Sequence, residues 1–261
     1  MMTLIHNRQG KQLAVYGFGH RAKPAIIFSN SLGTDHSMWQ AQVNALSQDY
    51  FVICYDTRGH GKSGVVETTR LENLAEDVVD ILNYFEVEKA HFCGISMGGI
   101  TGLALALQAP HRCLSVTIAN SAAKIGQAEA WLSRADTVEQ QGLAELVNTT
   151  HTRWFSQNFD YIHDRVAQQT IQVLSVTQPQ GYAASCRALA HADLRDELSN
   201  ITVPCLVICG ALDPVTTVAD GEFMQVQIPQ CELVSIAASH LSNIEQPEAF
   251  SQALLAFIKK H

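Results

Sequence analysis

Ser96 lies between glycines in Gly94-Ile95-Ser96-Met97-Gly98-Gly99, and that spacing is what a serine nucleophile requires. An apolar, strand-like run, Ala90-His91-Phe92-Cys93, precedes it, and a helix-like run from Ile100 to Gln108 follows. Between two such elements the serine is forced into a strained strand-to-helix turn, tolerated only where the residues two before and two after it are too small to clash. Gly94 and Gly98 supply that room, and the hydroxyl is expected to stand exposed at the carboxyl edge of a sheet.

A serine hydroxyl attacks poorly unless a base takes its proton, so the turn calls for a histidine and an orienting carboxylate in the chain order serine, acid, histidine. The apolar run Pro204-Cys205-Leu206-Val207-Ile208-Cys209-Gly210 leads into Ala211-Leu212-Asp213-Pro214, which puts Asp213 at the carboxyl end of a late strand. The competing role for Asp213 is to cap a helix beginning near Thr216. Of the 11 histidines, only His240 falls after the last strand-like run and before the last helix-like one. His60, in Arg58-Gly59-His60-Gly61, reads as support for a turn. His36 is either a substrate contact beside the first catalytic loop or a solvated histidine at a helix start.

Acyl transfer also needs donors aimed at a developing oxyanion. One is the backbone N–H of Met97, the residue after the nucleophile. The other is assigned to the N–H of Leu32, because Ile26-Ile27-Phe28-Ser29 runs directly into the glycine-containing loop Asn30-Ser31-Leu32-Gly33-Thr34-Asp35. The stretch Tyr55 to Ser63, rich in glycine and charge, reads as a turn that buttresses this loop without direct chemistry.

The elements that must hold these residues recur along the chain. Short β-rich runs occur at residues 13–17, 25–29, 51–56, 90–94, 114–119, 204–210 and 232–237, most of them continuously apolar, as parallel strands buried on both faces are. Helix-like stretches at 38–46, 71–85, 100–108 and 248–258 alternate with them, which implies a doubly wound α/β sheet. From about residue 120 to 199 the apolar residues fall at helical spacing instead. This segment is expected to be a helical insertion of about three or four short helices, positioned as a lid over the serine. The expected division is a core of residues 1–119 and 200–261 with a cap of residues 120–199.

Composition narrows the remaining possibilities. The chain has 261 residues, 47% of them hydrophobic, and a formal net charge of −8. It is long enough for one substantial α/β domain with an insertion. The acidic balance argues against nucleic acid as a partner. No apolar run approaches the roughly 20 residues of a membrane span, and the first residues lack a signal pattern, so the cytoplasm is the expected compartment. The seven cysteines are odd in number, sit mostly in apolar runs and form no Cys-x-x-Cys, which favours buried free thiols over a disulfide framework or a metal site. Neither metal nor cofactor is called for.

The elbow, the Asp-x-Arg-Gly-His-Gly-x-Ser turn at Asp56–Ser63 and the late Asp213 and His240 together resemble the α/β-hydrolase superfamily across essentially the whole chain. Within it, residues 29–35 with Met38-Trp39, the elbow, residues 120–126, Arg153-Trp154-Phe155 and residues 240–247 resemble the 3-oxoadipate enol-lactonases of aromatic-compound catabolism by the β-ketoadipate route. Asn30-Ser31 stands where the wider superfamily commonly has His-Gly, and this fits the narrower resemblance. The resemblance implies a serine hydrolase that opens a small anionic enol-lactone through an acyl-enzyme on Ser96. The substrate's carboxylate would then need a cation in the lid, either Arg134 or Arg153, with Trp154 walling the apolar part of the pocket. The alternatives are a carboxylesterase or other hydrolase with the same triad, and a non-catalytic small-molecule receptor on this scaffold.

Overall fold

The apolar runs pair into an eight-stranded sheet in the order β1-β2-β4-β3-β5-β6-β7-β8. These strands are β1 (Met2–His6), β2 (Gln12–Phe18), β3 (Ala25–Ser29), β4 (Phe51–Tyr55), β5 (Ala90–Ile95), β6 (Cys113–Ala119), β7 (Cys205–Gly210) and β8 (Cys231–Ile236). Only the β1–β2 and β2–β4 pairings are antiparallel; the rest of the sheet is parallel. The helices are α1 (Gln40–Leu46), α2 (Leu71–Tyr84), α3 (Met97–Gln108), α4 (Ala128–Gln141), α5 (Ala144–Trp154), α6 (Arg165–Val176), α7 (Pro179–His191), α8 (Val218–Gln227), α9 (Ser242–Glu245) and α10 (Pro247–Ile258). This computed structural model describes residues 2–261, so Met1 of the expected core segment lies outside the described residues.

Seven of the eight strands fall where apolar content marks them, because β3, β4, β5 and β7 are buried along their whole length. The strand that composition misses is β1. It forms a hairpin at the sheet edge, its sequence Met-Thr-Leu-Ile-His is mostly exposed, and no buried run announces it.

Parallel pairing puts the carboxyl ends of β3, β5, β6, β7 and β8 in one row. Ser29 stands opposite Gly94, Ile95 opposite Ala119, Ala119 opposite Ile208, and Gly210 opposite Ile236. The loops carrying Leu32, Ser96, Asp213 and His240 therefore leave the same edge of the sheet, which is where open α/β sheets bind ligands. Helix α3 starts immediately after Ser96 and is buried on nearly every face. It has no side-chain cap at its N-terminus, a loss of about 1 kcal/mol. Burial of Ile100, Leu103 and Leu105, at about 2 kcal/mol each, outweighs that loss, so the Ser96 hydroxyl is not needed as a cap.

Between β6 and β7 the chain leaves the sheet to form α4, α5, α6 and α7 over the carboxyl edge. Arg187 of α7 reaches Glu139 (2.7 Å) and Asp136 (3.1 Å) of α4 on the outer surface. The buried contacts of Ala135, Val138, Ala183 and Cys186 carry more of that packing than these exposed ion pairs do. All seven cysteines are free, and six of them are buried.

Candidate active site

Ser96 has φ 57° and ψ −116°, a conformation that L residues rarely occupy. The strain is of order 1–3 kcal/mol and persists because the surroundings over-determine it. The Ser96 N–H donates to the carbonyls of Ala119 (3.0 Å) and Asn120 (3.1 Å), and its own carbonyl accepts from the Ser121 hydroxyl (2.7 Å) and from Ile100 N–H (3.1 Å). The flanking glycines are required by close approach. A Cβ on Gly94 would collide with the carbonyl of Gly98, and one on Gly98 would lie against the carbonyls of Ser29 and Asn30, at the root of the Leu32 loop.

His240 Nδ1–H donates to Asp213 Oδ2 at 2.8 Å, with both residues buried. Because an ionised carboxylate only accepts, this bond places the imidazole proton on Nδ1 and leaves the lone pair on Nε2. Asp213 takes five donors in all. Oδ2 also receives Asn120 Nδ2 (3.0 Å) and the Thr216 hydroxyl (2.8 Å), while Oδ1 receives the N–H groups of Val215 (2.7 Å) and Thr216 (3.1 Å). Burial alone would raise its pKa; the charge of His240 and the bonds from His240, Asn120 and Val215 outweigh that and hold the carboxyl below its ordinary value. The helix that Asp213 was in competition to cap is capped instead by Thr217, which forms a capping box with Asp220. Asp213 orders the turn before that helix and binds the histidine at the same time.

Ser96, His240 and Leu32 line one cavity of about 250 Å³. The Leu32 N–H has no hydrogen-bond partner among the described residues, and Met97, as the first residue of α3, has no intrahelical acceptor for its own. The loop bearing Leu32 is fixed from below. Asn30 Nδ2 donates to the Tyr55 carbonyl (2.7 Å), Trp39 Nε1 donates to Asn30 Oδ1 (2.9 Å), and the Ser29 and Tyr55 hydroxyls bond at 2.6 Å. The asparagine at position 30 thus ties the loop to β4, and within the stretch Tyr55 to Ser63 it is Tyr55 alone that makes these bonds.

Helices between β6 and β7 close the cavity, with Trp131 and Arg134 of α4, Arg153 and Trp154 of α5, and Tyr182 of α7. Neither arginine pairs with a carboxylate among the described residues. Arg134 lies 4.7 Å over the Trp131 ring, and Arg153 makes one long bond of 3.4 Å to the Thr149 hydroxyl. Burial lowers the Arg153 pKa, and repulsion from Arg134 lowers it further. Burial likewise pushes the Tyr182 phenol up to about 12. Tyr182 carries no sequence signal separating it from an ordinary aromatic on a buried helical stripe. The roles of Asn120 and Glu245 also escape sequence reasoning, because they include hydrogen bonds to segments about a hundred residues away.

His36 lies outside the cavity and is not a substrate contact; it opens the short helix His36–Trp39 with its side chain partly exposed, as the helix-start reading expects. It stacks on Tyr16 at 3.5 Å and bonds through Nδ1 to Asp56 Oδ1 at 2.8 Å. With Asp35 and Asp56 it forms one cluster of metal-type donors among the described residues. The Asp56 oxygens are already engaged by His36, Lys62 N–H and the Tyr16 hydroxyl, so the cluster satisfies itself as a structural network.

A strained serine after a central strand, a histidine held by a buried aspartate and two free amides at the same sheet edge define the class. The family model described as alpha/beta hydrolase fold matches residues 24–247, and the chain belongs to that family. It is 58% identical over 98% of its length to 3-oxoadipate enol-lactonase 1 of Acinetobacter baylyi, covering 96% of that protein. It is 48% identical to 3-oxoadipate enol-lactonase 2 of the same organism, over 93% of this chain and 91% of that one. Among solved structures, the enol-lactonase from Burkholderia xenovorans superposes with a TM-score of 0.95 at 38% identity, covering 98% of this chain and all of that one.

Proposed function

We propose that this protein is a 3-oxoadipate enol-lactonase: a serine hydrolase that opens the enol-lactone with water to give 3-oxoadipate. The observation that carries the reading is a pair of guanidiniums, Arg134 and Arg153, without carboxylate partners in the cavity that holds Ser96 and His240. Two like charges lining one cavity repel, as the lowering of the Arg153 pKa by Arg134 reflects, and a substrate carboxylate relieves that repulsion with bidentate geometry. In an acidic protein this is a local choice in favour of an anionic ligand. Identity to named enol-lactonases over nearly the whole chain supports the same substrate.

His240 Nε2 takes the Ser96 proton as the hydroxyl oxygen adds to the lactone carbonyl, and the N–H groups of Leu32 and Met97 bind the oxyanion. Collapse breaks the ring C–O bond, and the departing enol oxygen takes its proton from the His240 imidazolium. The enol then tautomerises to a ketone, which removes the nucleophile that would re-close the ring. A water deprotonated by His240 hydrolyses the acyl-enzyme, expelling Ser96. Asp213 holds the tautomer throughout and stabilises the imidazolium. Residues 120–199 act as the lid, with Trp154 as the apolar wall.

Steady-state rates on the enol-lactone and on a neutral ester of equal size test the assignment. A higher kcat/KM on the lactone is expected; preference for the neutral ester would make the protein a general carboxylesterase.

A further inference from the structure

Glu245 ends α9, five residues after His240, and is only 8% exposed. Its carboxylate is filled entirely by serine donors from two separate segments. Oε2 accepts the N–H of Ser239 (2.9 Å), the residue before the histidine, and the N–H of Ser156 (3.1 Å); Oε1 accepts the Ser156 hydroxyl. Ser156 is two residues beyond the end of α5, the helix whose last residues, Arg153 and Trp154, wall the cavity. On the other side of the histidine, Leu241 N–H donates to the Trp154 carbonyl at 2.9 Å, and the Ser239 hydroxyl reaches the Arg153 carbonyl at 3.5 Å. Both flanks of His240 are therefore fastened to the same end of α5.

We propose that Glu245 is a positioning residue that locks the catalytic histidine to the anion-binding wall of the cavity, so that Arg153 and His240 hold one fixed geometry. The proposal rests on the roles given above to those two residues. The carboxylate touches neither substrate nor triad; it acts through Ser239 and Ser156. A single acceptor group at this junction matters because a misplacement of about 1 Å in a base or a clamp costs on the order of 100-fold in rate. A glutamine can make the same three contacts. Its amide oxygen can accept both backbone N–H groups, while its NH₂ faces the Ser156 hydroxyl, which can turn to accept. An alanine makes none of them.

The test uses two probes on the intact protein. Acylation of Ser96 by p-nitrophenyl acetate reports the histidine without needing a lid cation. Competitive inhibition by adipate reports the anion-binding wall. Glu245→Ala is expected to slow acylation about tenfold or more and to raise the adipate Ki about fivefold or more, with Glu245→Gln restoring both to within about threefold. Should Glu245→Ala fail to fold, Ser156→Ala, which removes only the hydroxyl donor to Oε1, is expected to stay folded with a lowered melting temperature and to slow acylation by about threefold, and an unchanged acylation rate would overturn the proposal. A change in only one of the two readouts, in neither, or no recovery in Glu245→Gln overturns the proposal. Failure of the unaltered protein to be acylated at all would instead overturn the triad reading.

Discussion

Replacing Asp213 by asparagine removes one charge and almost no volume, and the hydrogen bonds around it dictate the outcome. Two of its five donors, the N–H groups of Val215 and Thr216 on Oδ1, belong to the backbone and cannot turn away. The asparagine oxygen is therefore committed to that side, and the new NH₂ faces His240 Nδ1, Asn120 Nδ2 and the Thr216 hydroxyl. The hydroxyl can rotate and the Asn120 amide can flip, at the expense of its contact with the Ser239 carbonyl. The imidazole can adapt only by moving its proton to Nε2. That is the wrong tautomer: the nitrogen facing Ser96 no longer accepts a proton. A loss of about 10³ to 10⁴ in kcat is expected, equivalent to about 4 to 5.5 kcal/mol of barrier. Substrate affinity, set by the lid, should change far less. Steady-state kinetics of Asp213→Asn on the enol-lactone, with a thermal melt to verify folding, measures both. A kcat within tenfold of the parent would refute the assignment of Asp213 as the group that fixes the tautomer.

Other outcomes follow from the same geometry. Arg153→Ala and Arg134→Ala should each raise KM for the anionic lactone by about 10-fold or more while leaving kcat/KM on a neutral ester within about threefold, since a charge-assisted bidentate pair contributes about 1.5–3 kcal/mol; equal losses on both substrates would show that these arginines hold the lid together rather than the ligand. His91 bonds to the Ser115 hydroxyl at 2.8 Å, and burial, reinforced by His261, lowers its pKa to about 4. The unfolded chain takes up that proton at about 6.5, so the stability is full above that pH and is lost as pH falls toward 4, by up to about 3 kcal/mol. His91→Gln should flatten the fall in urea midpoint between pH 7.5 and pH 4.5, and an unchanged slope would assign the acid sensitivity elsewhere.

The parts of this arrangement that could be read from the sequence are those governed by local sterics and by burial. Gly94, Ser96 and Gly98 announce an elbow because only that spacing lets the turn form. The order Ser96, Asp213, His240 is readable because Ser96 and Asp213 each follow a run apolar enough to be a buried parallel strand, while His240 follows the part-exposed edge strand β8, which its β-rich residues still mark. Strand β1 is not readable, since an exposed edge hairpin needs no apolar face. Tyr182 is hidden by the ambiguity of helical stripes, in which an aromatic packing into the core and one facing a ligand have the same periodicity. Asn120 and Glu245 lie in segments that carry the resemblance, but their roles are not legible there, because the partners Asp213 and Ser156 lie 93 and 89 positions away in the chain. His36 is legible in part: its place at a helix start can be read locally, but its partners Tyr16 and Asp56, brought in by two other strands, cannot.

The central claim is that Ser96 carries the acyl group of an opened enol-lactone. Its most direct measurement is the turnover of 3-oxoadipate enol-lactone by the parent protein and by Ser96→Ala, followed by loss of lactone and appearance of 3-oxoadipate. The parent should convert the lactone fully, and the variant should retain its fold while kcat falls by about 10³-fold or more. No conversion by the parent, or a variant within tenfold of it, would contradict the claim.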